Sequence, residues 1–321
     1  MGIRVARFRN EGKVAWGVVT SESELQPIDG EFWSLGELLT DGLDAVHTAA
    51  TADRGSVSVR DVKLLSPVTK PARIVCQGAN YANHRSEAGM HPDRPAFNTI
   101  FYKADTSLTG PSDDVVRPAN VRLLDYEVEV GLVIGKAITT RTEVTSANFV
   151  EYVAGMVIAD DISARDIQLL EGQWYKGKSY RTFCPIGPYL YLFDEDEASL
   201  VHDLELQLSV NGEVRQSANT SQLLFKPEET LTELSQILDL LPGDVVLTGT
   251  PGGVALKLSQ HEAALLNNPA VSFAEKQAVF MESQSRIHAY LQDGDEIVCT
   301  VKTKDGRVHL GTQKNKVVTA Q

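Results

Sequence analysis

The run LLDYEVEVGLVIGKAI at 123–138 carries Asp125, Glu127 and Glu129 at alternate positions in an otherwise apolar, β-branched stretch. Alternate side chains of a strand share a face, so this spacing lines up three carboxylates opposite Tyr126, Val128 and Val130. Two such charges about 5 Å apart repel by roughly 3 kcal/mol at an effective dielectric near 20. A solvent-facing edge would relieve that repulsion, but the continuation VGLVIG reads as a strand buried on both faces. A hard divalent cation would instead convert repulsion into coordination, and carboxylate oxygens suit Mg²⁺ or Mn²⁺. A third carboxylate is then required, and AGMVIADDISARDIQ offers Asp160, Asp161 and Asp166, among which spacing alone does not choose.

Other stretches add groups that such a site could use. In CQGANYANHRSEAGM, His84 and Glu87 are i and i+3 neighbours on a predicted helical turn, so the carboxylate can accept the imidazole N–H and orient the ring as a base toward water. In GQWYKGKSYRTFCPIGPYL, Lys176, Lys178 and Arg181 stand among aromatic and turn residues, where a lysine could balance a ligand carboxylate or hold an anionic substrate. The strand-and-turn PGDVVLTGTPGGV lacks the GxxxxGK[ST] pattern of a nucleotide-phosphate loop. Its backbone N–H groups could form a nest for a carboxylate or a developing oxyanion.

The elements that must position these groups follow from the rest of the chain. Residues 1–68 read as a small N-terminal domain with short alternating runs and a helix over 34–50, and Pro67 and Pro71 mark its boundary. Residues 69–321 read as a larger, mainly β domain. Here IVCQGANY predicts a strand entering a turn, 146–157 a helix, and LELQLSVNGEVRQS a hairpin turning at Asn211-Gly212, with Asp305-Gly306 as a second hairpin turn. Residues 259–291 read as a helical insertion divided by Pro269, either a structural cover or a lid. At 321 residues and 42% hydrophobic the chain can bury a sizeable core. The net charge of −13 disfavours nucleic acid as a partner. Cys76, Cys184 and Cys299 are too few and too scattered for a disulfide framework. With no apolar leader and no run of membrane-spanning length, the expectation is a cytoplasmic protein without a membrane partner.

Taken in order, GANYANHRSE, LDYEVEVGLVIGKA, ADDISARDIQ, GQWYKGKSYRTFCPIGP and GDVVLTGTPGGV resemble the signature of the fumarylacetoacetate hydrolase superfamily over about residues 73–254, as in a bacterial acylpyruvate hydrolase-like member. The resemblance implies an α+β, mainly β fold: a mixed β-sandwich roll with a small N-terminal α/β domain, assembled as a homodimer. It implies Glu127, Glu129 and Asp161 as ligands of Mg²⁺ or Mn²⁺, with His84, Glu87 and Lys178 catalytic and Arg165, Gln168 and Thr250 binding substrate. Asp125 would open the strand, and Asp160 stands where the family more often has Asn. The segment after Val254 is longer than the family's usual link. The implied activity is metal-dependent hydrolysis of a C–C bond in a 2,4-dioxo acid, such as an acylpyruvate or fumarylpyruvate-like substrate, by a His84/Glu87-activated water with an enolate as leaving group. Arg85, Arg181 and Lys103 could hold a second substrate carboxylate. Oxaloacetate decarboxylation and 2-oxo acid tautomerisation or hydration are the alternatives at the same site, and a metal-binding scaffold is the non-enzymatic one.

Overall fold

In the computed structural model, residues 2–52 and 55–320 are described. Two sheets carry the fold. The larger has eleven strands; from one edge it runs through Val57–Ser58, Glu24–Pro27, Lys13–Ser21 and Ile3–Asn10 into Tyr189–Leu192, Val153–Asp160, Val128–Ile134, Val245–Leu247, Ile74–Gly78 and Thr99–Lys103. Lys63–Leu65 pairs with Ile3–Asn10 off this path. The smaller sheet orders Glu213–Asn219, Leu204–Val210, Glu296–Thr303, His309–Thr319 and Val115–Arg117. The fold is mixed α/β and mostly sheet, as the motifs imply.

The N-terminal strands are hydrogen-bonded into the large sheet, because Ile3–Ala6 lies antiparallel to Tyr189–Leu192. One apolar cluster between the sheets buries Val128, Val130, Ile158, Leu206 and Val301, while a second packs Leu35, Leu38 and Val46 of the N-terminal helices against Val133, Val157 and Leu247. Val128–Ile134 is buried at every position, as its apolar sequence demands.

Several local expectations hold. Asn211 and Gly212 both have positive φ (51° and 80°), as a type I′ turn requires. The insertion forms helices Gln260–Asn267 and Phe273–Gln284, separated around Pro269. Others do not. The predicted helix 34–50 is two helices, Leu35–Asp41 and Leu43–Thr51, meeting at Gly42. Residues 146–157 are helical only at Phe149–Tyr152; from Val153 the chain is a strand, because its apolar run is hydrogen-bonded between Val128–Ile134 and Tyr189–Leu192. The acidic run is likewise not one strand. Leu124–Asp125 pairs with Ser163–Ala164, and the long strand starts only at Val128.

Candidate active site

That break sorts the three carboxylates. Glu127 and Glu129 meet Asp161, and one oxygen from each lies within 4.8 Å of the other two, all three residues being buried. Asp161 enters beside Glu127 because its N–H donates to the Glu127 carbonyl (2.9 Å) just past the end of the Val153–Asp160 strand. Asp125 turns elsewhere. It accepts from Arg165 Nε (2.8 Å) and from the N–H groups of Ala255 (2.8 Å) and Leu256 (3.0 Å). Asp160 accepts from the Glu127 N–H at 2.8 Å, and burial pushes its carboxyl up to about 7. It is therefore a backbone clamp beside the cluster.

Three buried cations face the cluster. Lys178 bridges Glu127 Oε2 (2.7 Å) and Asp161 Oδ2 (2.6 Å), Lys103 pairs with Asp161 Oδ1 (2.5 Å), and Arg165 Nη2 lies 2.5 Å from Glu127 Oε1. Burial raises the Glu127 carboxyl, but Lys178 and Arg165 outweigh it and hold the group well below the usual carboxylate range. Among the described residues no cation forms an ion pair with Glu129, and Lys178 only partly offsets its neighbours' charge. Glu129 Oε2 accepts from the Gly249 N–H at 2.7 Å, while Oε1 is buried without a hydrogen-bond partner. Burial, then Asp161 and Glu127, push this carboxyl well above its ordinary range. A buried, orphaned carboxylate oxygen on a member of this three-carboxylate cluster is what a hard divalent cation would satisfy, so the donor set fits such an ion. Lys103, expected as a possible substrate contact, is instead committed to Asp161 and the Ile162 carbonyl.

The glycine-rich loop supplies its nest to the protein's own carboxylates. Gly249 N–H serves Glu129, Gly253 N–H serves Glu87 (2.9 and 3.1 Å), and Ala255 and Leu256 serve Asp125. Thr250, expected to hold substrate, donates to the Val128 carbonyl (3.0 Å) and accepts from Gln216 Nε2 (2.8 Å), so its hydroxyl is largely occupied in fixing the loop. Gln168 accepts from Arg165 Nη1 at 2.9 Å.

The His84–Glu87 pair is not assembled as the i, i+3 spacing suggests. Both lie on the short helix Ala82–Glu87, but they point into different cavities. His84 lines an inner cavity of about 40 Å³ together with Glu127, Arg165, Gln168, Lys178 and Thr250. Glu87 lines an outer cavity of about 300 Å³ with Tyr81, Ser217 and Gln222. The Glu87 carboxylate is taken by Gly253 N–H and Lys257 Nζ (2.5 Å), and His84 Nδ1 is buried without a hydrogen-bond partner. Burial lowers the imidazole to about 4, so the ring is neutral near pH 7. Trp174 closes the inner cavity from the side. It stacks edge-on against Phe101 (centroids 5.2 Å apart) and lies so close to Gly78 that a Cβ there would come within 2.3 Å of the indole.

Residues 73–318 match the family described as Fumarylacetoacetate (FAA) hydrolase C-terminal, and residues 3–67 match Rv2993c-like, N-terminal. The chain belongs to the fumarylacetoacetate hydrolase family. Among similar proteins, human oxaloacetate tautomerase FAHD2A, mitochondrial, is 37% identical over 279 residues, covering 86% of this chain and 76% of its own. Protein Rv2993c of Mycobacterium tuberculosis is 39% identical over 255 residues, covering 76% of this chain and 92% of its own. The crystal structure of 2-hydroxyhepta-2,4-diene-1,7-dioate isomerase from Mycobacterium marinum superposes with a TM-score of 0.70 at 27% identity over 99% of this chain and 98% of that one. The fumarylacetoacetate hydrolase EaFAH from Exiguobacterium antarcticum gives 0.71 at 30% identity, with 99% and 100% coverage. Members of this superfamily depend on divalent metals, and the buried Glu127–Glu129–Asp161 cluster provides a place for one. Among the described residues no helix is long and apolar enough to cross a membrane.

Sequence reasoning missed Lys103 as a cluster cation, Gln216 as the brace of Thr250 and Lys257 as the partner of Glu87. A lysine inside the strand TIFYK was the one local signal for the first, since an unpaired lysine is rarely buried.

Proposed function

We propose that this protein is a metal-dependent enzyme of 2-oxo acid enol chemistry that interconverts the keto and enol forms of a small 2-oxo dicarboxylate of the oxaloacetate type. The observation that carries the reading is that His84 lines the inner cavity beside Glu127, Arg165 and Lys178 while the Glu87 carboxylate is held by Gly253 and Lys257 at a different one. A keto–enol exchange needs one base that moves a proton between carbon and oxygen, and no activated water. The names of relatives such as human FAHD2A support the same choice.

Glu127, Glu129 and Asp161 would hold Mg²⁺ or Mn²⁺. When bound, such an ion supplies Lewis-acid polarisation of substrate oxygens. His84 takes the proton from the carbon next to the 2-oxo group, and the electron pair of that C–H bond becomes the enolate double bond. The imidazolium returns the proton to the enolate oxygen, giving the enol; the reverse sequence gives the ketone. Lys178, charged because Asp161 and Glu127 offset the burial that opposes its charge, stabilises the developing oxyanion. Arg165, fixed by Asp125 and Glu127, and the Gln168 amide orient the substrate carboxylates. Trp174 and Phe101 limit water at the reacting carbon.

Hydrolysis of an acylpyruvate is the second reading, favoured by the orphaned His84 Nδ1, which Glu87 would satisfy if it left Gly253 and Lys257. The test uses metal-stripped protein with Mg²⁺ or Mn²⁺ restored. Enol absorbance of oxaloacetate and release of pyruvate are followed together, with acylpyruvates in parallel. Metal-dependent keto–enol exchange without pyruvate is the expected result. Pyruvate and a carboxylic acid from acylpyruvates as the dominant reaction would make the enzyme a hydrolase, and pyruvate with CO₂ from oxaloacetate a decarboxylase.

A further inference from the structure

The short helix that carries His84 is fastened at its far end by the segment leading into the helical insertion. Three contacts converge on Glu87. Lys257 Nζ lies 2.5 Å from Oε1, the Gly253 N–H donates to Oε2 at 2.9 Å, and the Leu258 N–H donates to the Glu87 main-chain carbonyl at 2.8 Å. Beyond them, the insertion's first helix presses on the turn after the short helix, where a Cβ on Gly89 would meet the Ser259 carbonyl at 2.8 Å and Ala263 Cβ at 2.9 Å. Gly253 packs tightly against the Arg215 backbone: its φ is +106° and a Cβ there would sit 2.0 Å from the Arg215 carbonyl, so only glycine fits. The other end of this arrangement is a vacant hydrogen-bonding position, the buried Nδ1 of His84 three residues before Glu87.

We infer that Lys257 determines which reaction the inner cavity performs, by holding the Glu87 carboxylate away from His84. The inference rests on the reading above, in which His84 is the group that moves the proton.

The two reactions make different demands on the imidazole. In keto–enol exchange the proton leaves a carbon already acidified by its neighbouring carbonyl and returns to an oxygen of the same molecule. In hydrolysis His84 must remove a proton from water as the water oxygen bonds to the distal carbonyl carbon. The C–C bond then breaks with its electron pair passing to the pyruvate enolate, and the imidazolium proton ends on that enolate to give pyruvate. A carboxylate on the second ring nitrogen favours this harder step by fixing the tautomer and stabilising the imidazolium. Glu87 is placed to do so by sequence and is prevented from doing so by Lys257 and Gly253. The ammonium is the removable part of the restraint: Lys257 is about half exposed, whereas the Gly253 N–H belongs to a fixed backbone.

The experiment compares acylpyruvate hydrolysis with oxaloacetate tautomerisation in the full-length metal-loaded enzyme and its variants. Lys257→Met keeps the stem and removes the charge. The ratio of hydrolysis to tautomerisation should rise about fivefold, the scale of a partly exposed ion pair. Lys257→Arg should restore the original ratio, and Lys257→Met combined with Glu87→Gln should lose the gain. An unchanged ratio in Lys257→Met overturns the inference, and Lys257→Gln serves if the methionine variant does not fold. Should the parent protein turn over neither substrate, the functional reading fails separately. The positioning role is then decided by NMR of the histidine side chains. A hydrogen-bonded, downfield Nδ1 proton of His84 should appear in Lys257→Met and vanish when Lys257→Met is combined with Glu87→Ala, which leaves no acceptor there; its absence from Lys257→Met overturns the inference as well.

Discussion

His84 and Glu129 each show a polar group held in a state that water would not choose. Burial lowers the His84 imidazole to about 4, against an ordinary value of 6.5, so between these pH values the unfolded chain binds more protons than the folded one. The folded state therefore loses stability as pH falls from about 6.5 toward 4, while above 6.5 this group contributes no pH dependence. His84→Asn cannot titrate there. On going from pH 7 to pH 5 the parent should lose about 2 kcal/mol more stability than the variant in urea unfolding. Equal losses would show that the ring is not desolvated in solution. Glu129 makes the opposite case, a carboxylate that the metal-free centre does not want charged. Glu129→Gln retains an acceptor for the Gly249 N–H and removes the repulsion with Asp161 and Glu127. Without metal the variant should melt no lower than the parent. The rise in Tm that Mg²⁺ or Mn²⁺ gives the parent by binding the folded state should shrink or disappear. A metal-induced shift of the original size would remove Glu129 from the ligand set.

At the scale of elements, Asp125 is the joint on which the site is hung. Its carboxylate ties the two-residue strand Leu124–Asp125 to the N-terminal end of the Arg165–Glu171 helix through Arg165, and to the glycine-rich loop through Ala255 and Leu256. Asp125→Ala would leave the buried guanidinium with Glu127 as its remaining carboxylate and three amides, those of Tyr126, Ala255 and Leu256, without this acceptor. Breaking a buried pair in this way costs about 3 kcal/mol or more, and chemical denaturation should show that loss. A loss below about 1 kcal/mol would mean that Glu127 and water replace Asp125. This joint also marks where the sequence stopped being readable. The alternate carboxylates stood out because acidic residues are unusual in a buried strand, but spacing left Asp160, Asp161 and Asp166, and likewise Lys176 and Lys178, as equal candidates; only the family resemblance pointed to Glu127, Glu129, Asp161 and Lys178. The separation of Asp125 from its neighbours could not be read, because strand periodicity assumes an unbroken strand and the chain breaks at Tyr126–Glu127. Lys103 and Gln216 owe their roles to contacts across 58 and 34 residues, which no local spacing encodes. The His-x-x-Glu spacing placed both residues on one short helix, but helix geometry does not know that Gly253 and Lys257 compete for the carboxylate.

For the whole molecule, the composition shift near Pro67–Pro71 suggests two domains, yet the backbone hydrogen bonds run across that division. Ile3–Ala6 completes one side of Tyr189–Leu192, whose other side pairs with Gly155–Met156 in the strand leading to Asp160 and Asp161. The helices Leu35–Asp41 and Leu43–Thr51 bury Leu35, Leu38 and Val46 against Val133, Val157, Val245 and Leu247, the back of the strands that carry the acidic cluster. A fragment beginning at residue 69 would therefore expose both an unpaired strand edge and a large apolar face, a combination that leads to aggregation. We expect that fragment to be insoluble, or soluble only as a loosely packed state that binds a hydrophobic dye and unfolds without cooperativity. The full chain should unfold in one transition, because the two clusters share the strands Val128–Ile134 and Val153–Asp160. Soluble 69–321 with a sharp melting transition and an intact metal response would show that the larger unit folds alone. The N-terminal residues would then serve to cover an already stable site, and the pairing of Ile3–Ala6 would be a docking contact without a part in folding.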